Sequence, residues 1–379
     1  MDIKKIPRII NIDSNQQPEI EHLYTFKDFP VFMGTTEKSI DDDLRADMNI
    51  YINKIDGMLQ VNPVLPLDIV YQHEHNSGTT GKVWKDHHSE LALFLSKQKP
   101  QAIFEIGGAH GILSKEYTYD KIPWTILEPN PSPTENCTAT FIKGYFDRDF
   151  KFNKYFDTVV HSHVFEHMYN PDEFTSLLST LIDDGKKLVF SIPNMKGMLE
   201  RKYLNFMNFE HTFYLGDEHA EFLLAKYKFR IVDKTYYTED HSIFYSVIKD
   251  TTVTPIQMPV GIYETNKILF SEYIDHYTAL VDKLNQQISI SNSPVYQFGA
   301  HVFSQYLINF GLDITKIVSL LDNDISKQGK RLYGTTLYAE SPKVLRGIKN
   351  PIVLLQAGPF SNEIKKDILE NINSTTIFL

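Results

Sequence analysis

Gln101–Asn130 reads QAIFEIGGAHGILSKEYTYDKIPWTILEPN. The apolar run Ala102 to Ile106 predicts a buried strand, and Gly107, Gly108 and Gly111 predict a tight turn. A helix follows, then a second strand that closes on Glu128. Strand, glycine turn, helix and strand make a βαβ unit, the element on which nucleotide-binding sheets are built.

The flanking sequence continues the alternation. Val83, Trp84, Leu91, Leu93, Phe94 and Leu95 fit a helix that leads into the unit. Phe156 to Ser162 and Lys187 to Ile192 predict strands, Pro171 to Ile182 and Asp217 to Tyr227 helices. Two late strands, Phe229 to Tyr236 and Ser242 to Lys249, complete a doubly wound α/β sheet with an antiparallel edge. Past a polar linker at Thr251 to Pro259, Thr265 to Ile288 has the spacing of one long amphipathic helix. A second alternation, Pro294 to Phe298, His301 to Phe310, Ile317 to Leu321 and Pro351 to Gln356, predicts a smaller Rossmann-like unit. Residues 1 to about 60 alternate short apolar and polar segments, which suggests a small, mostly β region. The expected organisation is therefore an N-terminal domain over 1–70, a central domain over 71–255 and a C-terminal domain over 256–379.

Composition narrows the function classes. With 379 residues, 42% apolar and 23% charged, the chain has the balance of a packed globular protein. A net charge of −10 without a Lys/Arg stripe argues against nucleic acid as a partner. Cys137 is the single cysteine, which precludes an internal disulfide or a cysteine zinc cage and fits a cytoplasmic location. No stretch has the length and apolarity of a membrane span or a signal peptide. A monomer or homodimer acting on a small molecule is expected.

The glycine turn discriminates among ligands. A P-loop needs Gly-Lys-Ser/Thr, and none follows Gly111. The dinucleotide fingerprint counted from Gly107 would place glycines where Ala109 and Ile112 stand. What remains is acid-x-Gly-x-small-x-Gly: Glu105, Gly107, Ala109 and Gly111, with Gly108 between. This is similar to the first motif of S-adenosylmethionine-dependent methyltransferases. Close backbone approach suits that cofactor, with Glu105 expected to supply negative charge near its sulfonium. Glu128, 21 residues past Gly107 and followed by Pro129, is placed to accept the ribose hydroxyls. Phe146 or Asp147, after the third strand, would meet adenine.

The segment His161–His167, HSHVFEH, contains the H-x-x-E-H pattern of some zinc proteases. That pattern needs a helix presenting both histidines on one face, and here it follows directly on a strand. His161, His163 and His167 are therefore expected to line the cofactor pocket, as residues after strand four do in methyltransferases of this fold. No metal site is assigned.

Four further pieces carry a closer resemblance. Asn208–Leu215, NFEHTFYL, resembles the Glu-His-x-Phe-x-Leu stretch of bacterial sugar C-methyltransferases, which act on dTDP-linked 4-keto deoxysugars. His75–Thr80 resembles that family's His-x-Ser-Gly-Ser-Ser loop, and Phe298-Gly299-Ala300 its C-terminal Gly-Ala turn. Asp322 through Gly329 resembles its Asp-x-x-x-x-Lys-x-Gly element. The resemblance spans roughly residues 65 to 379 and implies a class I methyltransferase fold, S-adenosylmethionine as cofactor and a nucleotide sugar as acceptor. It also implies His211 as the base that removes a proton alpha to the sugar ketone and Glu210 as its orienting partner. His75, Tyr71 or Ser77 would donate to the enolate oxygen. The family's N-terminal zinc cysteines are missing, so residues 1–70 would be a zinc-less counterpart. An O-methyltransferase on a sugar or a capsular or antibiotic precursor and a non-catalytic cofactor-binding relative are the alternatives. A nicotinamide oxidoreductase is disfavoured by the failed fingerprint.

Overall fold

The computed structural model describes residues 4–13, 16–70, 82–238 and 241–379. Seven strands form the central sheet: β1 (Ile103–Ile106), β2 (Trp124–Glu128), β3 (Thr140–Lys143), β4 (Thr158–Ser162), β5 (Lys187–Pro193), β6 (Phe229–Tyr237) and β7 (Ser242–Lys249). Their spatial order is β3-β2-β1-β4-β5-β7-β6. Neighbouring strands from β3 to β5 run parallel, while β7 is antiparallel to both β5 and β6. The chain winds outward in opposite directions from β1 and from β4, so a crevice opens at their carboxyl ends.

The two late strands form the antiparallel edge that the sequence predicts, with β7 one strand in and β6 outermost. A short connection makes β6 and β7 antiparallel, and burial decides which is inside. Along β7, Ile243, Phe244, Tyr245 and Val247 are all buried, whereas β6 leaves Val232 and Tyr236 exposed. A strand that is apolar on both faces belongs in the interior, and a mixed one tolerates an edge.

Helices cover both faces. Lys82–Ser96 and Ile112–Glu116 pack Leu91, Leu95 and Leu113 against Ile126, Val160 and Val189. On the other face, Pro171–Leu181 and Asp217–Lys226 bring Phe174, Leu178 and Leu223 to Phe104, Val159 and Phe190. Pro171 opens its helix, and Asn170 Oδ1 accepts from Glu173 N at 3.1 Å, the expected N-terminal cap.

Among the described residues three smaller sheets accompany the central one, the smallest being the antiparallel pair Thr35–Thr36 and Arg331–Leu332. Ile20–Pro30, Arg45–Asn53 and Leu59–Val61 form an antiparallel sheet. Ala339–Glu340, Ile317–Leu321, Val295–Phe298, Ile352–Leu354 and Ile377–Phe378 form, in that spatial order, a parallel sheet of five. Its two outermost strands are two residues each, too short for a periodic signal. Helix Ile262–Ser289 buries Phe270, Tyr273, Tyr277, Val281, Leu284 and Ile288 on one stripe, whereas Ile268, which the spacing also assigns to it, is exposed. The three regions share one apolar cluster. Phe26 meets Tyr306 edge-on at 5.2 Å, Phe29 lies 6.3 Å from Phe209, and Tyr306 Oη donates to Met207 O, so the chain at 207–209 is gripped between both flanking units.

Candidate active site

The glycine turn caps β1 at the crevice. Gly107 has φ +71°, and a Cβ there would stand 2.6 Å from Val164 Cγ2, so a side chain is excluded by both backbone and neighbour. Gly107 N donates to Leu127 O at 2.9 Å, and Gly111 N to Gly108 O at 2.7 Å. Glu128, half-buried at the end of β2, fastens the turn. One carboxylate oxygen accepts from Ala109 N and the other from Asn130 N, both at 3.0 Å. Each oxygen keeps a lone pair for a further donor.

Glu105 sits beneath the turn rather than at its surface. It is 2% exposed, and its Cδ lies 2.7 Å from where a Cβ on Gly108 would stand. Trp124 Nε1 donates to its Oε2 at 2.6 Å. Burial, with the charge of Glu128, pushes the carboxyl up to about 7 against the lowering effect of that indole bond. Phe146, in the loop after β3, packs against Phe150 and Phe174 with ring centroids 5.9 and 5.8 Å away. Asp147 is exposed, and its Oδ1 accepts from Asp149 N and Phe150 N at 3.0 Å, so its carboxylate shapes its own turn. Pro129 is half-buried beside Glu128.

The residues after β4 divide into different surroundings. His161 is fully buried, stacks on Phe190 at 4.8 Å, and meets Phe174 edge-on. Neither ring nitrogen has a hydrogen-bond partner among the described residues, and burial pulls the imidazole down to about 3. It is a core residue, because strand alternation turns it toward helix Pro171–Leu181, and it leaves the set of pocket-lining candidates. His163 has φ +51°. Its Nε2 lies 2.8 Å from Ser242 Oγ and its Nδ1 3.0 Å from Glu166 Oε1. Burial first, then the neighbouring His241, pulls it well below the usual imidazole range.

Phe165–His167 is a single 3-10 turn, so His163 and His167 do not share a helix face. They join separate groups. His167 meets His211 edge-on at 4.7 Å, beside the fully buried Glu166, whose carboxyl burial pushes up to about 7. Glu166, His167 and His211 bring ligand atoms within 4.8 Å of one another, as do His87, His163 and His241. Neither grouping was predicted. His87 lies inside a helix read only for its apolar face, and its partners come from distant parts of the chain.

His211 reaches the crevice on a fastened turn. Asn208 Oδ1 accepts from Glu210 N at 2.7 Å and His211 N at 2.9 Å, and Asn208 N donates to His211 O at 3.1 Å. The following residues add to the N-terminal sheet: Val61 N donates to Thr212 O, and Tyr214 N to Leu59 O, both at 2.8 Å. Arg8 locks the join by donating to Thr212 Oγ1 at 2.8 Å and Thr212 O at 2.9 Å. Burial pushes the Glu210 carboxyl up to about 7. Val164 against Gly107 and Glu166 beside His211 bring the glycine turn and the histidine pair to one end of β1 and β4. Tyr71, His75 and Ser77 lie outside the described residues.

With this geometry in place, residues 78–234 match the family model of a methyltransferase domain. The match falls on the central unit and covers less than half of the chain. The turn, Glu128, the β4 loop, Glu210 and His211 all fall inside the methyltransferase stretch. Similar solved structures include magnesium protoporphyrin IX methyltransferase from Synechocystis PCC 6803 (14% identity, TM-score 0.36, 47% of this chain and 90% of that one). The N-methyltransferase NodS from Bradyrhizobium japonicum WM9 gives 14% identity and TM-score 0.36 over 45% of this chain and 88% of its own. Human N-acetylserotonin methyltransferase gives 16% and 0.37 over 45% and 53%. Among curated proteins none matches in sequence.

Proposed function

We propose that the chain methylates a nucleotide-linked sugar at the carbon alpha to a ketone, with His211 as the base. The observation that carries the reading is the position of His211, on a braced turn at the crevice that also holds Gly107 and Glu128. S-adenosylmethionine supplies the methyl group as an electrophile. The side-chain-free cradle at Gly107 and the spare lone pairs of Glu128 fit such a donor, through close backbone approach and through its ribose hydroxyls. Phe146 would border the adenine, with Pro129 beside the ribose.

His211 would take the proton from the acceptor carbon, leaving an enolate with its charge on the ketone oxygen; that carbon would then accept the methyl as the methyl–sulfur bond breaks, the thioether leaves and the ketone is restored. Glu210, adjacent in sequence, is the proposed orienting partner of His211. His75 or Tyr71 is the proposed donor to the enolate oxygen. The C-terminal unit, which repeats a strand, glycine turn and acid at Phe298, Gly299 and Asp322, is the proposed seat for the nucleotide.

The test uses a panel of nucleotide sugars with labelled donor and mass spectrometry of the products. Without donor, deuterium should enter the alpha carbon of the true acceptor. Methyl on oxygen with no exchange would replace C-methylation by O-methylation. His211→Ala is expected to bind S-adenosylmethionine normally and lose roughly 100- to 10,000-fold in kcat. Near wild-type turnover would remove His211 from the base role.

A further inference from the structure

We infer that His87, His163 and His241 form a binding site for a divalent transition-metal ion of the zinc type. Each comes from a different element: the helix Lys82–Ser96, the residue after β4 and the residue before β7. One ligand nitrogen from each lies within 4.8 Å of the others. The ring centroids are 5.2 Å apart for His87 and His163, 5.4 Å for His87 and His241, and 5.9 Å for His163 and His241. Three imidazoles without a thiolate suit zinc or cobalt(II) and leave a coordination position open.

Two observations besides proximity point to a ligand. His87 is fully buried, and neither of its ring nitrogens has a hydrogen-bond partner among the described residues. A buried polar group without a partner is costly, and Phe244 and Tyr237, edge-on at 5.2 and 5.4 Å, offer it none. His163 also carries the outer contact typical of a ligating histidine. Its Nδ1 lies 3.0 Å from Glu166 Oε1, an ion-pair distance, and its Nε2 faces Ser242. Ser242 Oγ marks the convergence, 2.8 Å from His163 Nε2 and 2.6 Å from His241 Nδ1. Trp84 walls the group with edge contacts to His163 and His241 at 4.9 and 4.8 Å. His241 is half-buried and the His163 side chain is 15% exposed, which leaves a way in. A metal here would tie the helix and the start of β7 to the β4 end, whose Val164 supports Gly107.

The site is tested by cobalt binding rather than by turnover. The full chain, expressed without a polyhistidine tag and stripped by chelator, is titrated with Co2+ and then with Zn2+. One Co2+ per chain should bind with the intense visible absorption of a four-coordinate ion, and Zn2+ should displace it. His87→Gln and His241→Gln should each weaken binding by at least ~10-fold, a typical loss when a metal's protein shell is disturbed. His211→Gln, which alters the other histidine group, should leave it unchanged. Circular dichroism and thermal melting check the fold of each variant. If His87→Gln does not fold, His241→Gln decides, because its side chain is half-buried. No cobalt absorption in the wild-type chain, or binding that survives His241→Gln, overturns the site.

Discussion

The central and C-terminal units use the same backbone device and finish it differently. In both, the glycine after the first strand donates to the second strand: Gly107 N to Leu127 O at 2.9 Å and Gly299 N to Leu321 O at 2.8 Å. In both, an alanine N–H just beyond reaches an acid at the second strand's end: Ala109 to Glu128 at 3.0 Å and Ala300 to Asp322 at 2.9 Å. Around the acid they part. Lys327 Nζ lies 3.1 Å from Asp322 Oδ2, whereas the bonds to the Glu128 carboxylate come from backbone N–H groups. Beneath the turn, Glu105 in one unit corresponds to Gln297 in the other, both buried. The shared turn thus supplies close approach, and the acid's surroundings set whether negative charge faces the crevice.

Breaking the turn itself should give the largest effect. Gly107→Ala puts a Cβ 2.6 Å from Val164 at φ +71°, so S-adenosylmethionine affinity should fall by about 100-fold or more, on the scale of 1–3 kcal/mol of backbone strain plus a displaced turn. Gly299→Ala meets no atom within 4 Å and should cost stability through its φ of +100° alone, with that affinity unchanged. Calorimetry on the pair checks both halves, and equal losses would end the distinction between the two turns. Next comes the acid. Glu128→Ala removes a charged acceptor and should weaken the same binding by about 10- to 100-fold, in line with 1.5–3 kcal/mol for hydrogen bonds to charged groups. Asp322→Asn should leave it unchanged.

How much of this was legible follows from what is local. β1, its turn and β2 lie within thirty residues, and parallel strands buried on both faces read as unbroken apolar runs. Glu128 was read as the acid that accepts ribose hydroxyls, and its place at the end of β2 follows from one helix and one strand; its bond from Ala109 N was not foreseen. His161 was misplaced because a histidine in an apolar strand shows which face it takes only once the sheet is assembled. Long-range features gave no signal: Arg8 holding Thr212, the N-terminal sheet extended by residues 212–214, and His87 meeting His163 and His241. The order of β6 and β7 was hidden for the same reason, since either strand of a hairpin can take the edge until the neighbour's packing is known.

The finest probe of the comparison, with no effect on the donor's own contacts, is to give the central unit the other unit's residue. Glu105→Gln keeps an oxygen to accept from Trp124 Nε1 and removes the titrating proton, as Gln297 does in the second turn. Burial raises the Glu105 carboxyl from its ordinary 4.5 to about 7, so the folded chain holds that proton more tightly than the unfolded one. The favourable contribution is full below pH 4.5 and is lost as pH rises through 7. The unfolding free energy of Glu105→Gln relative to wild type, from denaturant melts at each pH, should therefore climb between these limits by an amount on the order of 1 kcal/mol per pH unit at its steepest. The matched control, Gln297→Glu, should install the same slope in the C-terminal unit and fall below wild type as pH rises. If both variants track the wild-type profile, the acid beneath the first turn is ionised throughout. The two units would then differ only at Glu128 and Asp322.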